Sequence, residues 1–340
     1  MTRPLPTLPP RRRLAALPTP LDAMPRLSEA LGLELSVKRD DLTGSHLGGN
    51  KVRKLEFLLA DALAAGATHV ITCGGIQSNH ARATALAARP LGLTPVLLLR
   101  TPHGDAADLP SPPSGNVLLD RIAGARIVTC SPADYRERRG ALMAELARAI
   151  AADGGSAYLV PEGGSNALGS LGYVAAAWEL AAQLEAQSGG PPDAVVVATG
   201  SGGTLAGLAA GFEAMGAPTR VFGVAVCDDR AYFRAIVDRI AADLVRDHAF
   251  PPLGPARYEV LEGFQGRGYA QTTPEELRFL VEVAQADGLV LDPVYTNKAL
   301  IGLVESARRA PGMFGRRVVF IHTGGIFGLF PQAAELATVV

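Results

Sequence analysis

The sequence predicts an α/β protein built on mostly parallel sheets that are covered by helices. Short apolar runs alternate along the chain with longer segments of helical periodicity, which is the pattern of repeated strand–helix–strand units. Most of these runs lack polar alternation, as expected of strands that are covered on both faces. The chain has 340 residues, more than one ordinary hydrophobic core holds, so we expect two domains.

The apolar runs and the periodic segments give approximate element positions. Buried strands are predicted at residues 68–73, 95–100, 126–129, 157–160, 193–198, 220–226 and 317–321. Helices are predicted at residues 50–65, 78–92, 131–153, 167–188, 202–215 and 275–286. Two segments rich in Pro, Gly or Ser are predicted to be surface loops, residues 102–115 and 186–192.

Composition excludes several classes of partner. The net charge is −1, and no block of like charge is long enough to attract nucleic acid or an anionic membrane. No run approaches the roughly 18 apolar residues of a membrane span. The arginines near the N-terminus precede a segment broken by Pro18 and Pro20, unlike an export signal. Cys73, Cys130 and Cys227 lack metal-binding or redox spacing, so we expect reduced cysteines, no bound metal and a cytoplasmic protein.

A glycine-rich turn follows the predicted strand 193–198. Its sequence, TGSGGTLAG from Thr199 to Gly207, opens a predicted helix, where backbone N–H groups and the positive helix end suit a phosphate. A tight strand-to-helix turn without a ligand explains the same glycines equally well. The segment does not match GxxxxGK[ST], and the first strand–helix turn does not match GxGxxG.

Lys51 lies two residues after a Gly-Gly pair, at the start of a predicted amphipathic helix. The positive end of a helix disfavours the ammonium form, which moves a lysine toward the neutral amine that forms imines with carbonyl groups. The alternative is that Lys51, like Lys54 in the next turn, is a solvated surface lysine, as most single lysines are.

A third junction, CGGIQSNHARATA, follows the strand 68–73 and carries Gln77, Ser78, Asn79 and His80. In α/β proteins, ligands bind at the carboxyl ends of strands, and these polar groups at a helix start suit a carboxylate. The alternative is a helix cap formed by Ser78 or Asn79.

Two more junctions lie near the C-terminus. Tyr295 and Thr296 precede a helix in LDPVYTNKALIGL, and Thr323 follows a strand in FIHTGGIFGLF. Each junction taken alone is more often structural. With the preceding three, they make five polar or glycine-rich junctions at predicted strand ends.

Four motifs in a fixed order make the chain recognisable: GGNKVRKLE, GIQSNHARATA, LDPVYTNKA and HTGG. The chain resembles the tryptophan-synthase-β-like, fold-type II pyridoxal-phosphate enzymes, within the group of D-cysteine desulfhydrases and 1-aminocyclopropane-1-carboxylate deaminases. The resemblance extends from residue 17 to residue 322. It implies a homodimer that binds pyridoxal 5'-phosphate in a cleft between two domains and acts on a small amino acid. The large domain is expected to comprise residues 1–52 and 161–340, and the small domain residues 53–160.

The resemblance also implies a role for each motif residue. Lys51 carries the cofactor and is the leading candidate for the base that takes the Cα proton, with Tyr295 or Ser78 assisting. Asn79 forms a hydrogen bond with the phenolic oxygen of the cofactor, and Lys54 adds a charge at the phosphate. The phosphate is cradled by Thr199, Gly200, Ser201, Gly202, Gly203 and Thr204. The substrate is bound by Gln77, Ser78, His80, Tyr269 and Tyr295, of which Tyr269 is also expected in catalysis.

The resemblance also implies that Thr296 and Thr323 lie beside the cofactor ring and distinguish the activities within the group. In the deaminases the positions of Thr296 and Thr323 are typically Glu and Leu, whereas threonine at both is the pattern of the D-cysteine desulfhydrases. The resemblance therefore favours α,β-elimination of D-cysteine to pyruvate, hydrogen sulfide and ammonia. Asn297 departs from the usual glycine at its position.

Three alternative functions stay open. A cyclopropane deaminase and an L-cysteate sulfo-lyase share the same framework as the D-cysteine desulfhydrases. Outside the enzymes, a non-catalytic phosphate-binding α/β module explains the glycine-rich turn. Such a module leaves Lys51 unexplained.

Overall fold

A computed structural model describes residues 4–187, 189–268 and 270–340 of the chain. The strands, in chain order, are β1 (Leu21–Ala23), β2 (Glu34–Lys38), β3 (His69–Gly75), β4 (Thr94–Arg100), β5 (Arg126–Cys130), β6 (Ala157–Leu159), β7 (Ala194–Thr199), β8 (Arg220–Ala225), β9 (Tyr258–Leu261) and β10 (Arg317–Ile321). The helices are α1 (Pro25–Leu31), α2 (Lys51–Ala64), α3 (Asn79–Ala88), α4 (Gly115–Ile122), α5 (Pro132–Ala152), α6 (Ala167–Ala186), α7 (Gly203–Ala214), α8 (Arg230–His248), α9 (Pro274–Asp287), α10 (Thr296–Arg309) and α11 (Ala333–Leu336).

These strands form two sheets. The larger sheet has the order β1-β2-β10-β7-β8-β9 and is parallel except for β1, which pairs antiparallel with β2. The smaller sheet has the order β5-β4-β3-β6 and is parallel throughout. Parallel neighbours need a long crossover connection, usually a helix, which explains why helices alternate with strands along the chain. The predicted α/β class with mostly parallel sheets is confirmed.

Both faces of the larger sheet are covered by apolar packing. Val195 and Val197 of β7 belong to one apolar cluster, whereas Val196 between them belongs to another. Burial on both faces is the reason that this strand is apolar throughout in the sequence. In the part of the chain that the structure describes, no helix combines the length and the apolar character needed to cross a membrane.

Helix α2 is held against α6 by a close backbone contact. A Cβ at Gly172 of α6 would lie 2.3 Å from the carbonyl oxygen of Arg53, so only glycine allows the two helices to approach this closely. Leu55 of α2 also lies in an apolar cluster with Val70 of β3. Helix α2 thus contacts α6 and also packs with β3 of the smaller sheet. The predicted domain boundary after residue 52 stays a prediction.

Candidate active site

A cavity of about 620 Å³ lies at the carboxyl ends of β3, β7 and β10. Eleven residues that the sequence predicts for the site line it: Lys51, Ser78, Asn79, His80, Thr199, Gly200, Ser201, Gly202, Thr204, Tyr295 and Thr323. Four other predicted residues do not line it: Lys54, Gln77, Gly203 and Thr296. The predicted Tyr269 lies outside the described residues. The fold therefore brings together residues from all five junctions.

A tight turn places Lys51 beside the end of β10. Gly49 has a φ of +114°, and a Cβ there would lie 2.9 Å from the carbonyl oxygen of Thr323. The next residue, Asn50, donates its backbone N–H to the same carbonyl oxygen at 3.0 Å. Glycine is required in this turn both for its backbone conformation and for the close approach.

Lys51 is the first residue of α2, and its side chain lines the cavity. Its ammonium group donates to Asn50 Oδ1 at 3.0 Å and lies 5.9 Å from the centre of the Tyr295 ring. Burial lowers the pKa of Lys51 to about 8, although the Asp292 carboxylate acts in the opposite direction. An appreciable fraction of Lys51 is therefore the neutral amine near neutral pH.

Lys54 lies one turn along α2 and contacts the glycine-rich turn from outside the cavity. Its ammonium group donates to the carbonyl oxygen of Gly163 and to Ser165 Oγ, both at 3.1 Å. Ser165 Oγ in turn accepts the backbone N–H of Gly203 at 3.2 Å. Burial, together with the charge of Lys51, lowers the pKa of Lys54 well below its usual value. Lys54 and Gly203 are thus joined through Ser165, and neither lines the cavity.

The glycine-rich turn connects β7 to α7. Gly202 has a φ of +80°, and a Cβ there would lie 2.6 Å from Ile236 Cγ2, so a side chain fits neither the backbone nor the space. Thr204 Oγ1 accepts from Asn50 Nδ2 at 3.1 Å, which ties the turn to the residue before the cavity lysine. Thr199 Oγ1 is buried and has no hydrogen-bond partner among the described residues. A helix N-terminus beside an unpaired hydroxyl suits an anionic group.

Ser78 and His80 lie at the start of α3. Ser78 Oγ accepts the backbone N–H of Ala81 at 3.1 Å, so Ser78 caps the helix and also lines the cavity. His80 Nε2 lies 2.8 Å from Thr72 Oγ1. Burial, together with nearby lysine charges, lowers the pKa of His80 well below its usual value. His80 is therefore a neutral group in the cavity wall.

Gln77 contacts the start of α4 instead of the cavity. Its Oε1 accepts the backbone N–H of Asn116 at 2.8 Å, and its Nε2 donates to the carbonyl oxygen of Ser114 at 3.1 Å. Both ends of the amide are therefore bound within the protein. The predicted contact of Gln77 with a substrate carboxylate stays a prediction.

Tyr295 and Thr296 stand at the start of α10 in different surroundings. Tyr295 lines the cavity, and its ring lies against the glycine-rich turn. A Cβ at Gly200 would lie 2.9 Å from a carbon of this ring. Thr296 is fully buried, and its hydroxyl donates to Asp292 Oδ1 and accepts the Asp292 backbone N–H, both at 2.7 Å. Thr296 therefore holds Asp292, whose pKa is raised by burial, and does not line the cavity.

The two residues after Thr296 contact α9 and the segment on either side of residue 269. Asn297 Nδ2 donates to the carbonyl oxygen of Glu276 at 2.6 Å, so the residue that departs from the usual glycine connects α10 to α9. The Lys298 ammonium group donates at 2.7, 2.8 and 3.2 Å to the carbonyl oxygens of Gln265, Gly268 and Gln271. Sequence reasoning missed both contacts, because their partners are backbone groups that carry no sequence signal.

The outer part of the cavity contains a charged cluster that sequence reasoning also missed. The Tyr135 hydroxyl donates to Glu162 Oε1 at 2.7 Å, and Arg139 forms an ion pair with Glu162 at 3.1 Å. The guanidinium groups of Arg100 and Arg139 each lie 5.3 Å from the centre of the Tyr135 ring. The available signal was the run of polar residues at the start of the helix predicted at 131–153, directly after a strand.

Three features of the cavity fit pyridoxal 5'-phosphate. The Lys51 amine, with its lowered pKa, suits covalent attachment to the cofactor aldehyde. The start of α7 and the unpaired hydroxyl of Thr199 suit the phosphate. The ring of Tyr295 near Lys51 offers an aromatic surface for the pyridine ring.

Comparisons with known proteins agree with this fit. A family model described as "Pyridoxal-phosphate dependent enzyme" matches residues 13–324. The chain is 44% identical to a Thermotoga maritima protein named provisionally as a 1-aminocyclopropane-1-carboxylate deaminase, over 95% of this chain and 98% of that protein. It is 41% identical to the mitochondrial bifunctional D-cysteine desulfhydrase/1-aminocyclopropane-1-carboxylate deaminase of Arabidopsis thaliana, over 96% of this chain and 81% of that protein.

A solved structure extends the similarity to three dimensions. The crystal structure of a homologue of 1-aminocyclopropane-1-carboxylate deaminase matches with a TM-score of 0.85 and 36% identity, over 97% of this chain and 96% of that chain. The chain therefore belongs to the family of pyridoxal-phosphate-dependent enzymes, and its cofactor is pyridoxal 5'-phosphate.

Proposed function

We propose that this lyase is a D-cysteine desulfhydrase, which converts D-cysteine and water to pyruvate, hydrogen sulfide and ammonia. The observation that carries the choice of D-cysteine is threonine at both positions 296 and 323, of which Thr323 lines the cavity. The second candidate is 1-aminocyclopropane-1-carboxylate deaminase, because the Arabidopsis thaliana relative is named as having both activities. Membership of an enzyme family removes the support for a non-catalytic phosphate-binding module.

The cavity residues supply the groups that this reaction needs. When bound, the cofactor provides an electron sink for negative charge at the Cα atom of the amino acid. Lys51 in its neutral form takes the Cα proton, and its pKa of about 8 makes that form available near neutral pH. Ser78 Oγ accepts a backbone N–H, so its own proton remains to donate to the substrate carboxylate. Tyr295 lies near Lys51 and assists the proton transfer.

Thr323 favours sulfur elimination through its hydroxyl. We place this hydroxyl at the pyridine nitrogen, where a neutral group does not hold a proton as a carboxylate would. The electron sink is then weaker, which suits the loss of a good leaving group such as sulfide from Cβ. Ring opening of a cyclopropane requires a stronger sink, because the bond that breaks is carbon–carbon.

The test is a substrate panel with the purified enzyme. We expect kcat/KM to be largest for D-cysteine among D-cysteine, L-cysteine, L-cysteate and 1-aminocyclopropane-1-carboxylate. Pyruvate, sulfide, sulfite and 2-oxobutyrate are measured as products. A preference for the cyclopropane amino acid, detected as 2-oxobutyrate, would assign the protein to the deaminases, and sulfite from L-cysteate would assign it to the sulfo-lyases.

A variant pair tests the role of the two threonines. Thr323→Leu changes the cavity wall and is expected to lower kcat/KM for D-cysteine by up to about tenfold relative to the cyclopropane substrate, on the order of the loss of one neutral hydrogen bond. Thr296→Glu places a second carboxylate beside buried Asp292, so we expect lower stability as well as altered preference. Thr338→Leu, at an exposed position, is the matched control. An unchanged preference in both variants would contradict the assignment.

We further propose a cytoplasmic homodimer with a large domain of residues 1–52 and 161–340 and a small domain of residues 53–160. The smaller sheet comes from residues 69–159 and the larger sheet from the segments on either side, which supports this division.

Cys73 and Cys130 are buried free thiols, which supports a reducing compartment. Light scattering of the purified protein measures the mass, and a monomer mass would contradict the dimer.

A further inference from the structure

A chain of hydrogen bonds leads from Asn79 in the cavity wall into the protein interior. Asn116, near the start of α4, donates from Nδ2 to Asn79 Oδ1 and to the carbonyl oxygen of Gln77, both at 3.0 Å. Its own Oδ1 accepts from Arg82 Nε at 3.2 Å. Asn116 and Arg82 are 0% and 1% exposed, and neither is among the residues that line the cavity. Two buried residues therefore stand behind Asn79.

Arg82 fixes the direction of these hydrogen bonds, because a guanidinium group donates and has no acceptor. The Oδ1 atom of Asn116 must therefore face Arg82, which leaves the Asn116 NH₂ group for Asn79. Asn79 accepts that bond with Oδ1, so its own NH₂ group is the one that remains to donate. A Cβ at Gly325 would lie 2.9 Å from Asn79 Nδ2, which places this NH₂ group beside the segment after β10.

The Arg82 guanidinium group is itself held in place. It donates to the carbonyl oxygens of His46 and Gly48 at 2.7 and 3.0 Å, and it lies 5.0 Å from the centre of the Phe327 ring. Both carbonyl groups belong to the segment that leads into Lys51. The same guanidinium group thus holds the turn before the cavity lysine and, through Asn116, the amide of Asn79.

We propose that Asn116, oriented by Arg82, is a positioning residue that holds Asn79 with its NH₂ group toward an acceptor oxygen of the bound cofactor. This inference rests on the proposed placement of Asn79 beside the phenolic oxygen of pyridoxal 5'-phosphate. A hydrogen bond donated to that oxygen favours its anionic form. The reversed amide would bring two acceptors together, because the amide oxygen and the phenolic oxygen would face each other.

Two substitutions at residue 116 separate orientation from packing. Asn116→Asp keeps the shape and the acceptor for Arg82 but cannot donate to Asn79 or to the carbonyl oxygen of Gln77. The Asn79 amide therefore turns its NH₂ group toward the aspartate and its oxygen toward the cofactor. We expect cofactor affinity to fall by roughly tenfold to a hundredfold, as for an unpaired acceptor. The pH at which the visible absorption of the bound cofactor changes is expected to rise, because the phenolic oxygen loses its donor. Asn116→Ala leaves Asn79 free to turn either way, so we expect a loss of only about two- to tenfold.

The measurement is a titration of the cofactor-free protein with pyridoxal 5'-phosphate, followed by absorbance. Each substitution is also made in an Asn79→Ala background, where the effect of residue 116 on affinity and on the absorption change should disappear. Asn166→Asp is the matched control, because Asn166 caps α6 by accepting a hydrogen bond and aspartate accepts equally well.

An effect of Asn116→Asp that persists in the Asn79→Ala background, or that is no larger than the effect of Asn116→Ala, would overturn the proposal. If the aspartate variant does not fold, the alanine variant decides by the same double-mutant comparison. A wild-type protein that binds the cofactor but does not act on D-cysteine would contradict the proposed function and would leave this inference standing.

Discussion

Lys51 and Arg53 stand two residues apart at the start of α2, about 200° around the helix from each other. Lys51 lines the cavity, and its ammonium group donates to the neutral amide of Asn50 at 3.0 Å. Arg53 is 1% exposed and pairs with the carboxylates of Asp40 and Glu179 at 2.8 and 2.9 Å. One helix turn therefore holds one cation that faces the ligand site and one that is bound within the protein.

The pKa values of the two cations move in opposite directions, although burial acts on both in the same sense. Burial lowers the pKa of Lys51 to about 8. Burial also opposes the charge on Arg53, but Asp40 and Glu179 outweigh it, so the pKa of Arg53 is raised well above its usual value. The comparison shows that paired carboxylates, rather than burial alone, decide whether a buried cation stays charged or becomes a reactive base.

Removal of the reactive cation has the largest expected effect. Lys51→Ala is expected to lower kcat/KM for D-cysteine by more than about 10⁴-fold, because both the covalent attachment of the cofactor and the base are lost. The visible absorption band that borohydride removes is expected to disappear with the activity. Lys54→Ala is the matched control, and we expect it mainly to weaken cofactor retention. Full activity in Lys51→Ala would contradict the assignment of the cavity lysine.

Removal of the structural cation is expected to act on stability instead. Arg53→Leu leaves Asp40 buried with its main charge partner removed, which typically costs about 3–5 kcal/mol in the free energy of unfolding. Urea denaturation of the cofactor-free protein measures this change. Arg220→Leu, which breaks the exposed ion pair with Glu259, is the control and is expected to leave the free energy of unfolding nearly unchanged. Equal effects of the two substitutions would show that the buried network contributes no more than a surface pair.

The fold was predictable where burial leaves a continuous apolar run, and less so at the edges. All seven predicted strands are present, whereas β1, β2 and β9 were not predicted. These three lie toward the two edges of the larger sheet, and each is short or carries polar residues. Less of the surface of a strand near an edge is covered by other elements. Its sequence therefore lacks the apolar run that marks β7.

The site was predictable where one junction carries several polar residues, because strand ends meet at one edge of a parallel sheet. The orientation of individual side chains was not, since it depends on partners far away in sequence. Gln77 is bound by the residues at the start of α4, and Thr296 is bound by Asp292. The network around Arg53 was likewise hidden, because Glu179 lies 126 residues away along the chain.

The smallest expected effect is a change with pH in the rate of cofactor attachment, which depends on the ionisation of Lys51 and not on that of Arg53. A lysine reacts with the cofactor aldehyde as the neutral amine, and the amine becomes neutral as pH rises through its pKa. Because burial lowers the pKa of Lys51 to about 8, the rate of cofactor attachment should rise about tenfold per pH unit below that value and level off above it. Stopped-flow absorbance after mixing cofactor-free protein with pyridoxal 5'-phosphate measures this rate.

Two controls make this pH dependence specific to the cavity. The first control is the same measurement with a free lysine derivative whose side-chain amine is the only reactive amine. Its rate reports the ionisations of the cofactor itself and should level off only near the ordinary lysine pKa of about 10.4. The Asp292 carboxylate acts to raise the pKa of Lys51, so Asp292→Asn is expected to move the midpoint of attachment to lower pH. A midpoint in the protein that matches that of the free amine would mean that the cavity does not lower the pKa of Lys51. Lys51 and Arg53 would then differ only in that Arg53 pairs with carboxylates.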